Sequence, residues 1–147
     1  MGRPIVHFEI PAGDVERLKK FYADCFGWVF TNAQMPGIEY WLFTTGKNSP
    51  AGGMYRKQDT NEHPRNYVHV EEIDAAIQMF QGAGGTIKVP KQEIPGVGFT
   101  AIGLDPEGNA VGLFEPVKPP PRKRAKRAKK KTIPKRQRHI GRRIATR

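Results

Sequence analysis

Few side chains in this sequence are of types that do chemistry, and their spacing restricts them further. The 147 residues contain one serine, Ser49, and no Gly-x-Ser-x-Gly turn that could present a nucleophile. The single cysteine, Cys25, falls on a helical stripe with Val15, Leu18, Tyr22 and Phe26, which predicts a buried, inert thiol. One cysteine also excludes an internal disulfide framework and any cysteine-based metal cluster. Gly82, Gly84 and Gly85, with Gly96 and Gly98 beyond, lack the strand-loop-helix order and the following Lys-Ser/Thr of a phosphate loop. Four histidines remain. His63, beside Pro64 in a polar stretch, reads as solvated, and His139 lies in a basic C-terminal segment. His7 and His69 lie on short apolar segments and are the two that could face a cleft. Glu9 and Glu39 also lie on β segments and could face a cleft, although an exposed strand carboxylate is the commoner arrangement. Tyr40, Trp41, Phe43, Tyr55, Phe99 and Phe114 could line an apolar pocket, although some of them must form core.

The cationic side chains are segregated. The formal net charge is +11, but all fourteen acidic residues lie at or before Glu115. Residues 1–116 carry ten basic side chains against those fourteen, a net −4, whereas residues 117–147 carry fifteen basic side chains and no acid. The chain therefore divides into a mildly acidic body, 1–116, and a basic tail, 117–147. Pro119-Pro120-Pro121 forms a short stiff spacer. Beyond it come Arg122, Lys123, Arg124, Lys126, Arg127, Lys129, Lys130 and Lys131, then Lys135, Arg136, Arg138, Arg142 and Arg143. Self-repulsion predicts a disordered or extended tail in isolation, and polyanion binding through counterion release. Without an aromatic residue the tail has no stacking platform, so nucleic-acid backbone is the expected target, with little sequence preference. An anionic membrane surface is the weaker candidate, because no Trp, Phe or Leu is there to anchor it.

The body supplies the elements that must position any site. Residues 4–10 read as a strand ended by Pro11 and Gly13. Asp14 stands where a helix N-cap belongs, and Gly27 closes the helix that follows. Residues 28–32, 38–45 and 51–57 read as three further strands. The order then recurs. Residues 66–70 form a strand, and Ile73, Ala76, Ile77, Phe80 and Ala83 form a helical stripe stopped by Gly84-Gly85. Strands follow at 86–90, 98–104 and 109–115. Sliding the chain by 58 residues lays Ile10 on Val68, Val15 on Ile73, Tyr22 on Phe80 and Gly27 on Gly85. That is an internal repeat of one strand-helix-three-strand unit. Two such units predict an α+β fold with one curved mixed sheet and a central cleft.

The sequence resembles the vicinal oxygen chelate superfamily, which includes glyoxalase I, bleomycin-resistance proteins and extradiol dioxygenases. The resemblance is carried by His7-Phe8-Glu9-Ile10-Pro11-Ala12-Gly13-Asp14, Phe21-Tyr22 and Phe26-Gly27-Trp28. It continues in Glu72-Ile73-Asp74-Ala75-Ala76, Ala83-Gly84-Gly85, Ile94-Pro95-Gly96-Val97-Gly98 and Asp105-Pro106-Glu107-Gly108-Asn109. It covers about residues 4–116 and implies paired βαβββ units, often with a divalent metal in the cleft. The superfamily usually draws its ligands from the first and last strand of each unit. By that pattern His7 is one ligand, but its repeat mate is Arg65, which has no lone pair to give. The last-strand position of the second unit is Gly112, with Met54, Gly52 or Gly53 as its mate. One of four expected ligands is present. A set of His7, His69 and Glu115 would need a register bulge, because Glu115 is three residues from Gly112 and alternation turns it to the other face.

The expected reading is thus a metal-free glyoxalase-like protein whose cleft candidates are His7, His69, Tyr40, Arg65 and Phe99. It would bind a small molecule there and nucleic acid or a ribonucleoprotein through its tail. A divalent-metal lyase or dioxygenase and a structural protein of an RNA–protein assembly are the alternatives, and a homodimer is compatible with all three. No run approaches the ~18 apolar residues of a membrane span and no signal-like stretch opens the chain, so a cytoplasmic protein is expected, with nuclear or nucleoid association left open.

Overall fold

The computed structural model describes residues 2–118, so the tail beyond Lys118, with its proposed nucleic-acid-binding residues, lies outside the described residues. The chain runs β1(Ile5–Ala12), α1(Val15–Phe26), β2(Val29–Asn32), β3(Tyr40–Thr44), β4(Ala51–Arg56), β5(Arg65–His69), α2(Ile73–Gly82), β6(Thr86–Ile94), β7(Gly98–Leu104) and β8(Ala110–Pro116). All eight strands form one mixed, curved sheet in the order β2-β3-β4-β1-β5-β8-β7-β6. In each unit the first strand pairs in parallel with the last, β1 with β4 and β5 with β8. The units meet where β1 and β5 pair antiparallel, with Phe8 opposite Asn66. Those two residues are 58 positions apart, so a local two-fold relation through this pair reproduces the sequence repeat.

Both helices cover the same face. Under α1 lie Phe8, Ile10 and Ala12 of β1, with Phe43 and Met54, against Val15, Leu18 and Tyr22. Trp28 is stacked between Tyr22 and Phe43, with centroids 4.6 and 5.0 Å away. Under α2, Val70, Ala101 and Leu113 pack against Ile73 and Ala76. The Asp14 carboxylate accepts the Arg17 amide at 3.0 Å and caps α1, and Gly27 ends it with φ 69°. The start of α2 is satisfied differently. Glu72 makes no side-chain cap, and the carboxylate of Glu115 on β8 accepts the Ile73 amide at 2.8 Å.

The thiol expected to be buried is exposed. At 3.6 residues per turn Cys25 lies about 80° round the helix from Val15, at the border of the stripe. The stripe leaves the sheet in that last turn, where Phe26 is 62% exposed. Among the described residues, no helix is long and apolar enough to cross a membrane.

A thiol reagent is expected to modify Cys25 in native protein at a rate close to that of unfolded protein. Replacing Cys25 by Ser should change stability by less than about 0.5 kcal/mol, as measured by urea unfolding. Strong protection of the thiol would contradict this helix orientation.

Candidate functional site

Period-2 alternation carries His7 and Glu9 of β1 to the face that the helices leave uncovered. Arg65 and Tyr67 of β5 follow, because Glu9 lies directly opposite Arg65 and His7 opposite Tyr67. Tyr40 of β3 and Tyr55 of β4, themselves cross-strand neighbours, complete the cluster. Their rings stack nearly parallel, 6.5 Å apart.

Glu9 is the centre. It is 8% exposed, the one charged residue buried among those described. Its Oε2 accepts Arg65 Nε at 2.7 Å and the Tyr67 hydroxyl at 2.9 Å, while Oε1 accepts the Tyr40 hydroxyl at 3.0 Å. Arg65 Nε also reaches the Tyr67 oxygen at 3.1 Å, and Nη2 donates to the Tyr55 oxygen at 3.2 Å. The Arg65 guanidinium carbon lies 5.4 Å from the Tyr55 ring centroid. His7 Nε2 is 2.8 Å from the Tyr40 oxygen. Tyr40 has one proton, and Glu9 receives it. The His7 contact is therefore an Nε2–H donated to Tyr40, which leaves the Nδ1 lone pair of a neutral imidazole.

The electrostatics follow from this packing. Burial pulls the His7 pKa below its usual 6.5 against the opposing pull of Glu9, so the ring is neutral at pH 7. Burial and then the Glu9 charge raise the Tyr40 and Tyr67 hydroxyls well above the ordinary phenol range, so both remain donors. Burial works against the Arg65 charge, but Glu9 and the phenols outweigh it and keep the guanidinium protonated.

Two glycines make room for the tyrosines. Glu9 pairs with Gly53 and Tyr67 with Gly112, so the mate of Gly112 in the first unit is Gly53. A Cβ on Gly53 would collide with the Tyr40 hydroxyl, and one on Gly112 with the Tyr67 ring. The last-strand positions that would each supply a ligand are thus filled from neighbouring strands by phenols.

These residues do not fit a divalent metal. The Nδ1 lone pair of His7 is the one donor left to a metal, because the one carboxylate already takes three hydrogen bonds and the Arg65 guanidinium lies against it. Among the described residues, no three His, Cys, Asp or Glu side chains converge as a metal site would require. The set His7, His69 and Glu115 does not assemble, since Glu115 caps α2 on the helix side. His69 lies two positions beyond Tyr67 and borders a shallow recess with Glu71, Glu72, Pro116 and Lys118.

Three of the five cleft candidates, His7, Tyr40 and Arg65, meet in the cluster. Phe99 does not face the cleft. It alternates with Thr100 so that it shares the α2 side with Ala101, and it packs against that core. Trp41 and Phe43 likewise support α1. Glu9, a strand carboxylate for which exposure is the commoner arrangement, is instead buried at the centre of the cluster. Its signal was the two-residue spacing from His7, which puts both on one face.

The lowered His7 pKa has a defined consequence for stability. The unfolded chain binds a proton at His7 near pH 6.5 and the folded chain only below that, so unfolding takes up a proton in between. His7 should therefore cost the fold stability as pH falls from about 7 through this window. Urea unfolding from pH 7.5 to 5 is expected to show a smaller acid loss for His7→Asn than for wild type. Equal slopes would show that His7 titrates as it does in the unfolded chain.

Residues 4–46 match the family described as bleomycin resistance protein-like N-terminal. A glyoxylase-like domain-containing protein from Didymella fabae is 38% identical over 85 residues, 52% of this chain and 65% of that protein. The putative glyoxylase CFP32 of Mycobacterium bovis is 24% identical over 126 residues, 73% of this chain and 43% of that protein. The chain therefore spans less than two thirds of either curated relative. A solved glyoxalase/bleomycin resistance protein/dioxygenase superfamily member from Vibrio splendidus 12B01 superposes with TM-score 0.57 at 12% identity, covering 78% of this chain and 99% of that one. With two βαβββ units joined at antiparallel first strands, the chain has the fold of the glyoxalase/bleomycin resistance/dioxygenase, or vicinal oxygen chelate, superfamily and is similar in sequence to its glyoxalase-like members.

Proposed function

We propose that this chain is a metal-independent glyoxalase-like binding protein. It takes a small molecule on the sheet face that the helices leave open and holds a polyanion, nucleic acid or a ribonucleoprotein, through residues 117–147. The observation that carries the first part is the Glu9–Arg65 pair, which puts a fixed cation and a saturated carboxylate where a divalent ion would need free lone pairs. His7, Tyr40, Tyr55 and the pair itself provide hydrogen-bonding groups and aromatic edges around one spot, which suits recognition of a small polar molecule. The second part is supported by the separation of a body at −4 from fifteen tail cations.

Elemental analysis of the purified full chain is expected to find well under one equivalent of zinc, nickel, iron or manganese. Close to one equivalent, lost in His7→Ala, would overturn the metal-independent reading.

For the tail, log affinity for a DNA duplex is expected to fall with log salt at a slope of about −4 to −7, alike for unrelated sequences. Replacing Lys129, Lys130 and Lys131 together by Ala should shallow that slope by up to about three. Affinity indifferent to salt or to that triple replacement would move the interaction elsewhere.

A further inference from the structure

We propose that Arg65 anchors a small organic carboxylate on the sheet face that the helices leave open, with the ligand accepting from Nη1 while Nε stays on Glu9. This rests on the small-molecule reading above and names the chemistry of that ligand. The Arg65 donors are unevenly used. Nε serves Glu9 and Tyr67, Nη2 serves Tyr55, and Nη1 has no partner among the described residues. The fully buried side-chain polar atoms left without a partner are Trp41 Nε1 and Thr100 Oγ1. Nη1 is neither bonded nor sealed, and it belongs to a side chain that is 20% exposed.

A guanidinium fixed on three sides with one nitrogen outward loses little freedom on binding an anion, and its charge-assisted hydrogen bonds favour carboxylates. Glu9 does not cancel this attraction. Both its oxygens are engaged on the inner side, so an anion arriving at Nη1 meets the cation first. A cationic ligand would meet the same charge. The surroundings favour a flat, partly apolar body. Tyr55 lies beside the guanidinium, and Leu42, two positions after Tyr40 on β3, is 44% exposed on the same face.

Benzoate and its neutral isostere benzamide test this at fixed ionic strength, with backbone amide shifts of the full chain as the readout. Benzoate is expected to shift the amides of residues 7–9, 55 and 65–67, and benzamide to bind at least tenfold more weakly. Arg65→Gln should weaken benzoate at least tenfold. Because that variant strands Glu9, the Glu9→Gln/Arg65→Gln double variant, which removes both charges, should show the same loss. The Lys129, Lys130 and Lys131 to Ala variant should leave the shifts of the face unchanged. Equal binding of both probes at these residues would overturn the anchor and leave the small-molecule reading standing. Benzoate shifts confined to Lys118 and beyond would overturn it as ion exchange on the tail. Silence of the face towards both probes would overturn the anchor and count against the small-molecule reading as well.

Discussion

A carboxylate taken out of water at the seam between two half-sheets must be neutralised on the spot. Glu9 is in that position, and Arg65 answers it from directly across the β1–β5 pair at 2.7 Å. Removing one partner of so enclosed a pair costs about 3–5 kcal/mol, because the other charge is left without a counterion. The pairing also selects the register. A slip of one residue between β1 and β5 would turn Arg65 towards the helix side and leave Glu9 alone. Tyr40 and Tyr67 are oriented by the same carboxylate, and they reach it because Gly53 and Gly112 offer no Cβ.

The cluster is built from a repeat whose halves have diverged where it matters. The two-fold relation places Arg65 where His7 stands in the first unit and Tyr67 where Glu9 stands. A base and an acid in one unit thus meet a cation and a phenol in the other. With identical halves His7 would lie opposite a second glutamate and Glu9 opposite a second histidine; in this sequence they lie opposite Tyr67 and Arg65, which gives Glu9 a permanent cation. Both units have a glycine at this position, 53 and 112, and each is covered by a tyrosine, Tyr40 of β3 in one and Tyr67 of β5 in the other.

Outside the seam the two halves are held by independent cores. The α1 core is aromatic, with Tyr22, Trp28 and Phe43 stacked and Lys19 lying over Trp41 at 3.1 Å from the ring centroid. The α2 core is smaller and aliphatic, and its helix depends on Glu115 from the last strand for its first amide. Both helices are thereby committed to one face. The opposite face stays open, with the ionic cluster at its middle.

The sequence by itself determined the elements and the 58-residue repeat, because periodicity, caps and turn glycines act over a few residues, and its motifs carried the resemblance to the superfamily. Val15 and Ile73 open the two helices 58 positions apart, as the repeat requires. Alternation alone also put Glu115 on the opposite face from Gly112. Tertiary structure decided what local pattern could not. Cys25 lies on an apolar helical stripe and Phe99 on a strand beside a cleft, and only the extent of the sheet under α1 and the pleat of β7 exposed the one and packed the other against the α2 core. Whether Glu9 was solvated or central depended on Arg65, 56 residues away, and on two glycines whose empty Cβ positions matter only when neighbouring strands bring tyrosines over them. Such a site is a sum of long-range contacts, and its chemistry becomes legible once the strands are in register.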